Sequence, residues 1–348
     1  MSRRKQSGRF RVLFVLTALL AGFAGYWAWD RYHRFVEAPI PGLETGRTLV
    51  VESGDSFTAV LDKLRAAGVD AGHDLEWLGL ARQLGAAGRL QVGEYPLPPG
   101  TTPRSLLLAM RDGKVISYRF TIVEGWNIRE LRAALVRAAP LQQEAAQLDD
   151  AALMAALGHA DQHPEGRFLP ETYAYTRGDS DLDVLRRAHA AMAAALDDAW
   201  QSRAADLPLA SQDEALVLAS IIEKETGAAD ERARIAGVFV RRLQLGMKLQ
   251  TDPTVIYGIG ADYAGDITRA HLATDTPYNT YTRAGLPPTP IAMPGADALH
   301  AAAHPAAGDA LYFVALGDGS GRHVFSSTLA EHQAAVRQYL QRYRQRPQ

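Results

Sequence analysis

The sequence predicts an α+β protein in three parts: an N-terminal apolar helix, a small unit of two strands and two helices, and a mainly helical region with a β-hairpin. Three observations support this prediction. Val12–Trp29 is an uncharged run, strand and helix patterns alternate between Thr48 and Leu97, and long amphipathic segments follow from Leu182 onward. The 348 residues, 47% of them hydrophobic and 22% charged, are enough for two or three domains with a sizeable core.

The apolar run Val12–Trp29 is just long enough to cross a bilayer. Its basic flank, residues 1–11, carries more positive charge than the residues that follow the run, which favours a cytoplasmic tail and export of the remaining chain. A cleaved signal peptide is the alternative, because Gly22-Phe23-Ala24 resembles a small-x-small cleavage site. Residues 30–46 are rich in proline and glycine, so they are predicted to form a linker that leaves the membrane.

Residues 47–118 are predicted to contain a compact βααβ unit. Its strands are Thr48–Glu52 and Gln91–Leu97, and its helices are Thr58–Ala67 and Leu75–Gly85. The opening pattern, Val-x-Ser-Gly-Asp-Ser followed by a helix, resembles that of LysM domains, which bind N-acetylglucosamine polymers. The unit has no nucleophile motif or phosphate loop, so a glycan-binding module is expected.

Composition and motifs exclude several classes of function. The net charge of -2 gives no general attraction for nucleic acid, and the absence of cysteine excludes disulfides, thiolate metal sites and a cysteine nucleophile. No Gly-x-Ser-x-Gly motif and no glycine-rich nucleotide loop occur. His300 and His304 are one helical turn apart, as in zincins, but no glutamate lies between them and Pro305 ends the helix, so no metal site is expected.

The best candidate for chemistry is a glutamate at the end of a predicted helix, Asp213–Glu225. Ser211 or Asp213 can cap its start, and no glycine or proline interrupts it. At about 100° per residue, Glu225 lies on the same apolar arc as Leu218 and Ile221. Desolvation there would raise the pKa of its carboxyl group and keep it protonated near neutral pH, as a general acid requires.

Another role for Glu225 and the presence of other carboxylates have to be weighed against this hypothesis. Glu225 is equally compatible with a frayed helix end, solvated or paired with Lys224 or Arg232. Glu223 points roughly 160° away, so the two carboxyl groups cannot form a close pair on one helical face. Asp252 is the most attractive second carboxylate, although aspartate in Thr-Asp-Pro commonly makes a turn.

Several long motifs in order resemble the endolytic murein transglycosylases, the YceG-like family. They are Leu218–Thr226, Leu249–Gly258, Tyr278–Tyr281, Gly285–Pro288 and Ala302–Pro305. The resemblance implies a single-pass protein of the bacterial inner membrane, with a cytoplasmic N-terminus and a periplasmic bulk, that cuts within nascent peptidoglycan strands and limits their length. It implies glycan strands as substrate, peptidoglycan synthases of the penicillin-binding class as possible partners, and no cofactor.

The resemblance also implies how the chain is organised and which residues act. Residues 211–345 would be the catalytic domain, with a lysozyme-like helical cleft, and residues 119–210 a linking α/β region. Glu225-Thr226 is similar to the Glu-Ser pair that ends a helix in other lytic transglycosylases. The expected substrate-binding residues are Gln250, Thr251, Asp252, Asn279, Thr280, Tyr281 and His304, with Glu223 and Tyr278 as secondary candidates.

The implied reaction needs one carboxyl group. Glu225 would protonate the oxygen that links N-acetylmuramic acid to N-acetylglucosamine, then take the proton of the muramic C6 hydroxyl as it closes onto C1, leaving a 1,6-anhydro end. Two rivals stay open. A muramidase-type hydrolase would use the same acid with Asp252 or Glu223 and leave reducing ends, and a non-catalytic peptidoglycan-binding scaffold would not need Glu225.

Overall fold

The computed structural model describes residues 3–344, with side chains from Arg11 onward. The chain divides into two compact units. One comprises the residues up to Tyr118 together with Thr176–Gly178, and the other comprises Arg119–Tyr175 together with the residues from Asp179 onward. Met1 and Ser2 of the predicted tail, and Gln345 of the predicted catalytic domain, lie outside the described residues.

The first helix, α1, spans Arg3–Glu37 and contains the predicted apolar run. Within the described part of the chain, Arg11–Glu37 is the one segment long and apolar enough to cross a membrane, with a mean hydropathy of 1.8. The helix continues beyond the predicted end at Trp29 because no helix-breaking residue occurs before Pro39.

The prediction of a free linker over residues 30–46 is therefore wrong. Eight of these residues extend α1, and Val36, Ile40 and Leu43 are buried in the core of the first unit. The end of α1 and the segment after it therefore pack against α3 and α4 within the first unit.

The first unit has the predicted βααβ order. Strand β1 (Thr48–Val51) pairs antiparallel with β2 (Gly93–Pro96), and helices α2 (Phe57–Ala66) and α3 (Asp74–Gln83) lie between them in sequence. Helix α4 (Pro103–Asp112) follows. The core of the unit contains Trp77, Leu80, Tyr95 and Leu107, all essentially inaccessible to solvent.

Two strands and three helices come next in the chain. The elements are β3 (Ser117–Thr121), α5 (Ile128–Leu135), α6 (Asp150–Ala156), β4 (Thr172–Thr176) and α7 (Asp181–Gln201). Strand β4 pairs with β3. Its alternating buried tyrosines are typical of a strand, a pattern that its glycine- and proline-rich surroundings obscure.

The remaining elements surround a central helix, α8. They are α8 (Gln212–Glu225), α9 (Arg232–Gln244), α10 (Asp252–Ile259), α11 (Arg269–Ala273), α12 (Ala296–Ala303), the hairpin strands β5 (Tyr312–Ala315) and β6 (His323–Ser326), and α13 (Leu329–Arg344). Helix α8 packs against α7, α9 and α12 and forms the middle of the core of this unit.

Two short helices, α10 and α11, were not predicted. Thr251-Asp252-Pro253 suggests a turn, yet Pro253 lies in the first turn of α10. A proline at this position costs the helix no hydrogen bond, because the first N–H groups of a helix have no partner within it.

Candidate active site

Helix α8 carries Glu225 to the edge of the core. Ser211 caps its start, since its Oγ accepts a hydrogen bond from the Glu214 backbone N–H at 3.2 Å, and the chain becomes extended at Thr226. Leu218 and Ile221 are inaccessible to solvent, whereas Glu225, on the same arc, is half-buried. The predicted cap and arc are confirmed, and the frayed, solvated helix end is not observed.

The surroundings of Glu225 favour its protonated form. The hydroxyl of Thr251 donates a hydrogen bond to Oε1. Burial raises the pKa of the carboxyl group to about 7, and the charge of Asp252 adds to this effect, while the Thr251 hydrogen bond and the charge of Arg242 oppose it. A substantial fraction of Glu225 is therefore protonated at neutral pH.

Glu225 opens onto a cleft with a volume of about 460 Å³. Residues 249–252 and Tyr281 line one part of it, and the first residues of the hairpin, Tyr312–Val314, line another. Helix α13 adds three further side chains: Leu329, His332 and Val336. The lining thus combines aromatic, aliphatic and hydrogen-bonding groups with two carboxyl groups, those of Glu225 and Asp252, and one guanidinium, that of Arg242.

The loop that contacts Glu225 reverses direction at Gln250. With φ at 52°, Gln250 is the one residue other than glycine that has a positive φ in the described part of the chain. The turn places Leu249 in the core and the Thr251 hydroxyl on Glu225, and leaves the side chain of Gln250 exposed in the cleft. Such conformations persist only where neighbouring contacts impose them, and they concentrate at functional sites.

Asp252 and Tyr281 form a pair on the same side of the cleft. The Tyr281 hydroxyl donates a 2.6 Å hydrogen bond to Oδ1 of Asp252. Burial and the neighbouring Asp252 carboxylate both raise the pKa of Tyr281, so it stays protonated. The structure thus brings Gln250, Thr251, Asp252 and Tyr281 together with Glu225, four of the seven expected substrate-binding residues.

Asn279 and Thr280 are buried and do not line the cleft that contains Glu225, so their role in substrate binding stays a prediction. The Asn279 amide donates to the carbonyl oxygens of three residues of the 271–274 segment, at 2.7 to 3.2 Å, and its oxygen accepts from the Tyr281 N–H. The Thr280 hydroxyl accepts from the Thr251 N–H and contacts the Thr254 hydroxyl at 2.9 Å. Their polar groups are paired within the protein, and these hydrogen bonds help to position the segments that carry Thr251 and Tyr281.

His304 also lies outside the cleft. Its Nε2 is 2.6 Å from the carbonyl oxygen of Ser202, and its ring stacks on that of His300 with centroids 4.3 Å apart. The expected contact of His304 with substrate is therefore not supported. Within residues 3–344, no group of three or more histidine, aspartate or glutamate side chains is arranged to hold a metal ion.

The two secondary candidates face other parts of the unit. Oε2 of Glu223 accepts a hydrogen bond from the Gly295 N–H at 3.0 Å, and Oε1 is 3.8 Å from Arg232. The Tyr278 hydroxyl contacts that of Thr289 at 2.8 Å. Neither residue lines the cleft, as the helical geometry of α8 predicted for Glu223.

Sequence reasoning missed the side chains that come to the cleft from distant segments. Arg242 is buried, and its guanidinium donates to the carbonyl oxygens of Leu311, Lys248 and Leu249 at 2.7 to 3.1 Å. It thereby ties the start of β5 to the loop that precedes Gln250. Its position in sequence, directly after Arg241 in an amphipathic helix, is more typical of a solvated face.

A second buried glutamate, Glu165, was also missed. It is inaccessible to solvent, accepts hydrogen bonds from the Ile128 N–H at 3.1 Å through both oxygens, and accepts one from the Tyr257 hydroxyl at 2.9 Å. Burial raises the pKa of its carboxyl group to about 7 despite these bonds. Glu165 does not line the cleft.

The fold and the cleft place the chain among α+β proteins that present a single carboxylic acid of raised pKa in an open cleft of polar and aromatic side chains. Within that class, the chain belongs to the YceG-like family, whose family model matches residues 49–338.

Named relatives agree with this assignment. The endolytic murein transglycosylase of Bacillus subtilis (strain 168) is 30% identical over 307 residues, covering 83% of this chain and 84% of the relative. That of Streptococcus pneumoniae serotype 2 is 29% identical over 181 residues, and the match spans 51% of this chain and 32% of the longer relative. A crystal structure of a putative yceG-like protein from Listeria monocytogenes matches with a TM-score of 0.52 and 27% identity, covering 84% of this chain and 99% of the other.

Proposed function

We propose that this protein is an endolytic murein transglycosylase that cuts within peptidoglycan glycan strands through Glu225. The observation that carries the proposal is a protonatable carboxyl group, half-buried, held by one hydroxyl and open to a cleft. The printed names of the relatives from Bacillus subtilis and Streptococcus pneumoniae support the same reaction. Enzymes of this kind are lyases that act on peptidoglycan.

In the proposed mechanism, Glu225 begins protonated. It donates its proton to the oxygen between N-acetylmuramic acid and N-acetylglucosamine while positive charge develops at C1. The resulting carboxylate then takes the proton from the C6 hydroxyl of the muramic residue, whose oxygen bonds to C1 and closes the 1,6-anhydro ring. Because the nucleophile belongs to the substrate, its effective molarity is high and a second carboxylate is unnecessary.

The neighbours of Glu225 have distinct parts in this mechanism. Thr251 fixes the orientation of the carboxyl group through its hydrogen bond to Oε1, and so leaves Oε2 for the substrate. The exposed amide of Gln250 binds sugar hydroxyl or acetamido groups in the cleft. Tyr281 offers a ring on which a sugar can pack, while its hydroxyl stays bound to Asp252.

The rest of the chain fits a membrane-bound enzyme of the cell wall. Helix α1 would cross the inner membrane with the basic tail in the cytoplasm and residues from about Asp30 onward in the periplasm. The βααβ order within residues 47–118 supports a LysM-like glycan-binding module, and the helices and hairpin of residues 211–345 a lysozyme-like catalytic cleft. Limiting the length of nascent strands would bring the enzyme near the peptidoglycan synthases, the expected protein partners.

A muramidase-type hydrolase is the second candidate, because Asp252 lines the same cleft as Glu225. A hydrolase would need a second carboxylate to activate water or to form a covalent intermediate. Asp252 accepts a hydrogen bond from the Tyr281 hydroxyl through Oδ1, which fixes the position of its carboxyl group in the cleft. The two candidates differ in their products, since hydrolysis leaves reducing ends and transglycosylation leaves 1,6-anhydro ends.

Mass spectrometry of uncrosslinked glycan strands digested by the full-length protein in detergent separates these candidates. We expect anhydro-muramic ends with the wild type and with Glu223→Gln, and none with Glu225→Gln. Glu223→Gln is the matched control because it changes the same residue type on the same helix outside the cleft. Reducing ends that disappear with Asp252→Asn would favour the hydrolase, and intact strands with folded wild type would favour a non-catalytic scaffold.

A further inference from the structure

One wall of the cleft carries a histidine that the mechanism does not use. His332 projects from α13 and lines the same cleft as Glu225. Its ring stacks on that of Tyr312 with centroids 5.1 Å apart and an interplanar angle of 19°. The guanidinium of Arg242 also lies over the Tyr312 ring, 5.1 Å from its centroid. These contacts hold the imidazole in one orientation against the hairpin.

The hydrogen bonding of this imidazole is incomplete. Nδ1 of His332 is buried and has no hydrogen-bond partner among the residues that the structure describes. Buried polar atoms are nearly always paired, so an unpaired one beside a cleft indicates a partner that arrives with a ligand. Burial and the charge of Arg242 both lower the pKa of His332, so the ring is neutral near pH 7 and offers one donor and one acceptor.

Besides Tyr312 and Arg242, three aliphatic side chains belong to the same cleft lining as His332. Val314, Leu329 and Val336 line the same part of the cleft. A polar ring among aliphatic groups is complementary to a ligand group that carries an amide next to a methyl. In an N-acetylated glycan that group is the acetamido substituent, whose N–H and carbonyl oxygen need hydrogen bonds while its methyl needs apolar contact.

We propose that His332, with Val314, Leu329 and Val336, forms the pocket that recognises the acetamido group of an N-acetylated sugar next to the bond cut at Glu225. This inference rests on the proposed function. His332 is a specificity residue in it, and takes no part in moving the proton of the reaction. The pocket makes the cleft selective for N-acetylated strands over strands whose amino groups are free.

Kinetics of strand cutting by the full-length protein give the first test. His332→Phe keeps a ring against Tyr312 but removes both nitrogens, so it should raise KM for N-acetylated strands roughly three- to tenfold, the loss expected for one hydrogen bond, with kcat changed less than about twofold. His332→Gln, which keeps a hydrogen-bonding group, should recover part of the loss. His300→Gln, on the exposed side of α12, is the control and should behave as wild type. An unchanged KM for His332→Phe would overturn the inference.

A second test does not depend on turnover. In Glu225→Gln protein with 15N-labelled histidine, the imidazole resonance that His332→Phe removes should shift when an N-acetylated tetrasaccharide is added, and should stay in place with the de-N-acetylated form. Equal shifts with both sugars, or none with either, would contradict the assignment. If the wild type leaves strands uncut but the selective shift is present, the proposed function fails and the pocket stands. If the wild type cuts through Glu225 and the shift is absent, the pocket alone fails.

Discussion

Burial raises the pKa of the carboxyl groups of both Glu165 and Glu225 to about 7. The surroundings of the two residues nevertheless differ. Glu165 is enclosed, and its two oxygens accept hydrogen bonds from the Ile128 N–H and the Tyr257 hydroxyl. Glu225 accepts one hydrogen bond, from Thr251, and lines a cleft.

The comparison teaches that a raised pKa by itself reports only desolvation. A catalytic acid also needs a route for the substrate and an oxygen that is not already committed to the protein. Glu165 lacks the route, and its hydrogen bonds connect the start of α5 to α10, the helix that begins at the cleft. We therefore propose that Glu165 supports the site and that Glu225 carries out its chemistry.

The largest expected effect separates the two residues by activity. Glu225→Gln should lower the rate at which new strand ends form by about 100-fold or more, because a general acid contributes about 10²–10⁴-fold. Glu165→Gln should stay within about threefold of wild type, since an amide oxygen can replace the buried carboxylic acid as acceptor. Counting new ends against time measures both, and a comparable loss with Glu165→Gln would break the distinction.

The next effect separates them by stability. Glu165→Leu leaves the Ile128 N–H and the Tyr257 hydroxyl buried without an acceptor, which should cost about 3 kcal/mol of unfolding free energy at pH 5. Glu225→Leu should cost less, because its one partner is a hydroxyl beside a cleft that solvent can enter. Urea unfolding followed by circular dichroism compares them, and a larger loss for Glu225→Leu would show that the roles are reversed.

The pH dependence of stability sharpens the account of Glu165. Its folded pKa of about 7 lies above the ordinary value of 4.5, so the folded protein holds a proton that the unfolded chain releases, and stability falls as pH rises from about 4.5 to 7. Glu165→Gln removes this contribution. We expect it to stabilise the protein at pH 8 by on the order of 2–3 kcal/mol and to leave stability at pH 4 nearly unchanged. Equal effects at both pH values would contradict the raised pKa.

The smallest effects concern the neighbours of Glu225. Activity should fall about tenfold per pH unit above a midpoint near 7, as the acid loses its proton. Thr251→Val removes a hydrogen bond that lowers the pKa of Glu225, so the midpoint should move up by about one unit or less. Asp252→Asn removes a charge that raises the pKa of Glu225, so the midpoint should move down by about one unit or less. Shifts in the same direction would refute this description of the electrostatics.

The parts of the fold that depend on local pattern were predictable. The serine cap and the apolar arc of α8 predicted both the helix and the orientation of Glu225, and the hairpin near the C-terminus was predicted as well. Helix α10 was not predicted because Thr-Asp-Pro is compatible with both a turn and a helix start, and tertiary packing decides between them.

Only the site residues that belong to recognisable sequence motifs could be predicted. The sequence does not distinguish the polar residues of one loop from one another. In the structure Tyr281 lines the cleft, whereas the side chains of Asn279 and Thr280 make hydrogen bonds within the protein. His332 and Arg242 reach the cleft through long-range packing, and no local periodicity encodes such a contact. Burial and hydrogen-bond partners, which only the structure supplies, decide which polar residues bind a ligand.

The central claim is that the protonated form of Glu225 does the chemistry. The most direct measurement is to titrate the Glu225 carboxyl carbon by 13C NMR in protein with labelled glutamate, assigning it by its absence in Glu225→Gln, alongside the pH profile of kcat/KM. The account predicts one midpoint near pH 7 for both, moving down together in Asp252→Asn. A Glu225 carboxyl group that titrates near pH 4.5 while activity falls near pH 7 would contradict the account. An activity midpoint that stays in place in Asp252→Asn while the carboxyl titration moves would also contradict it.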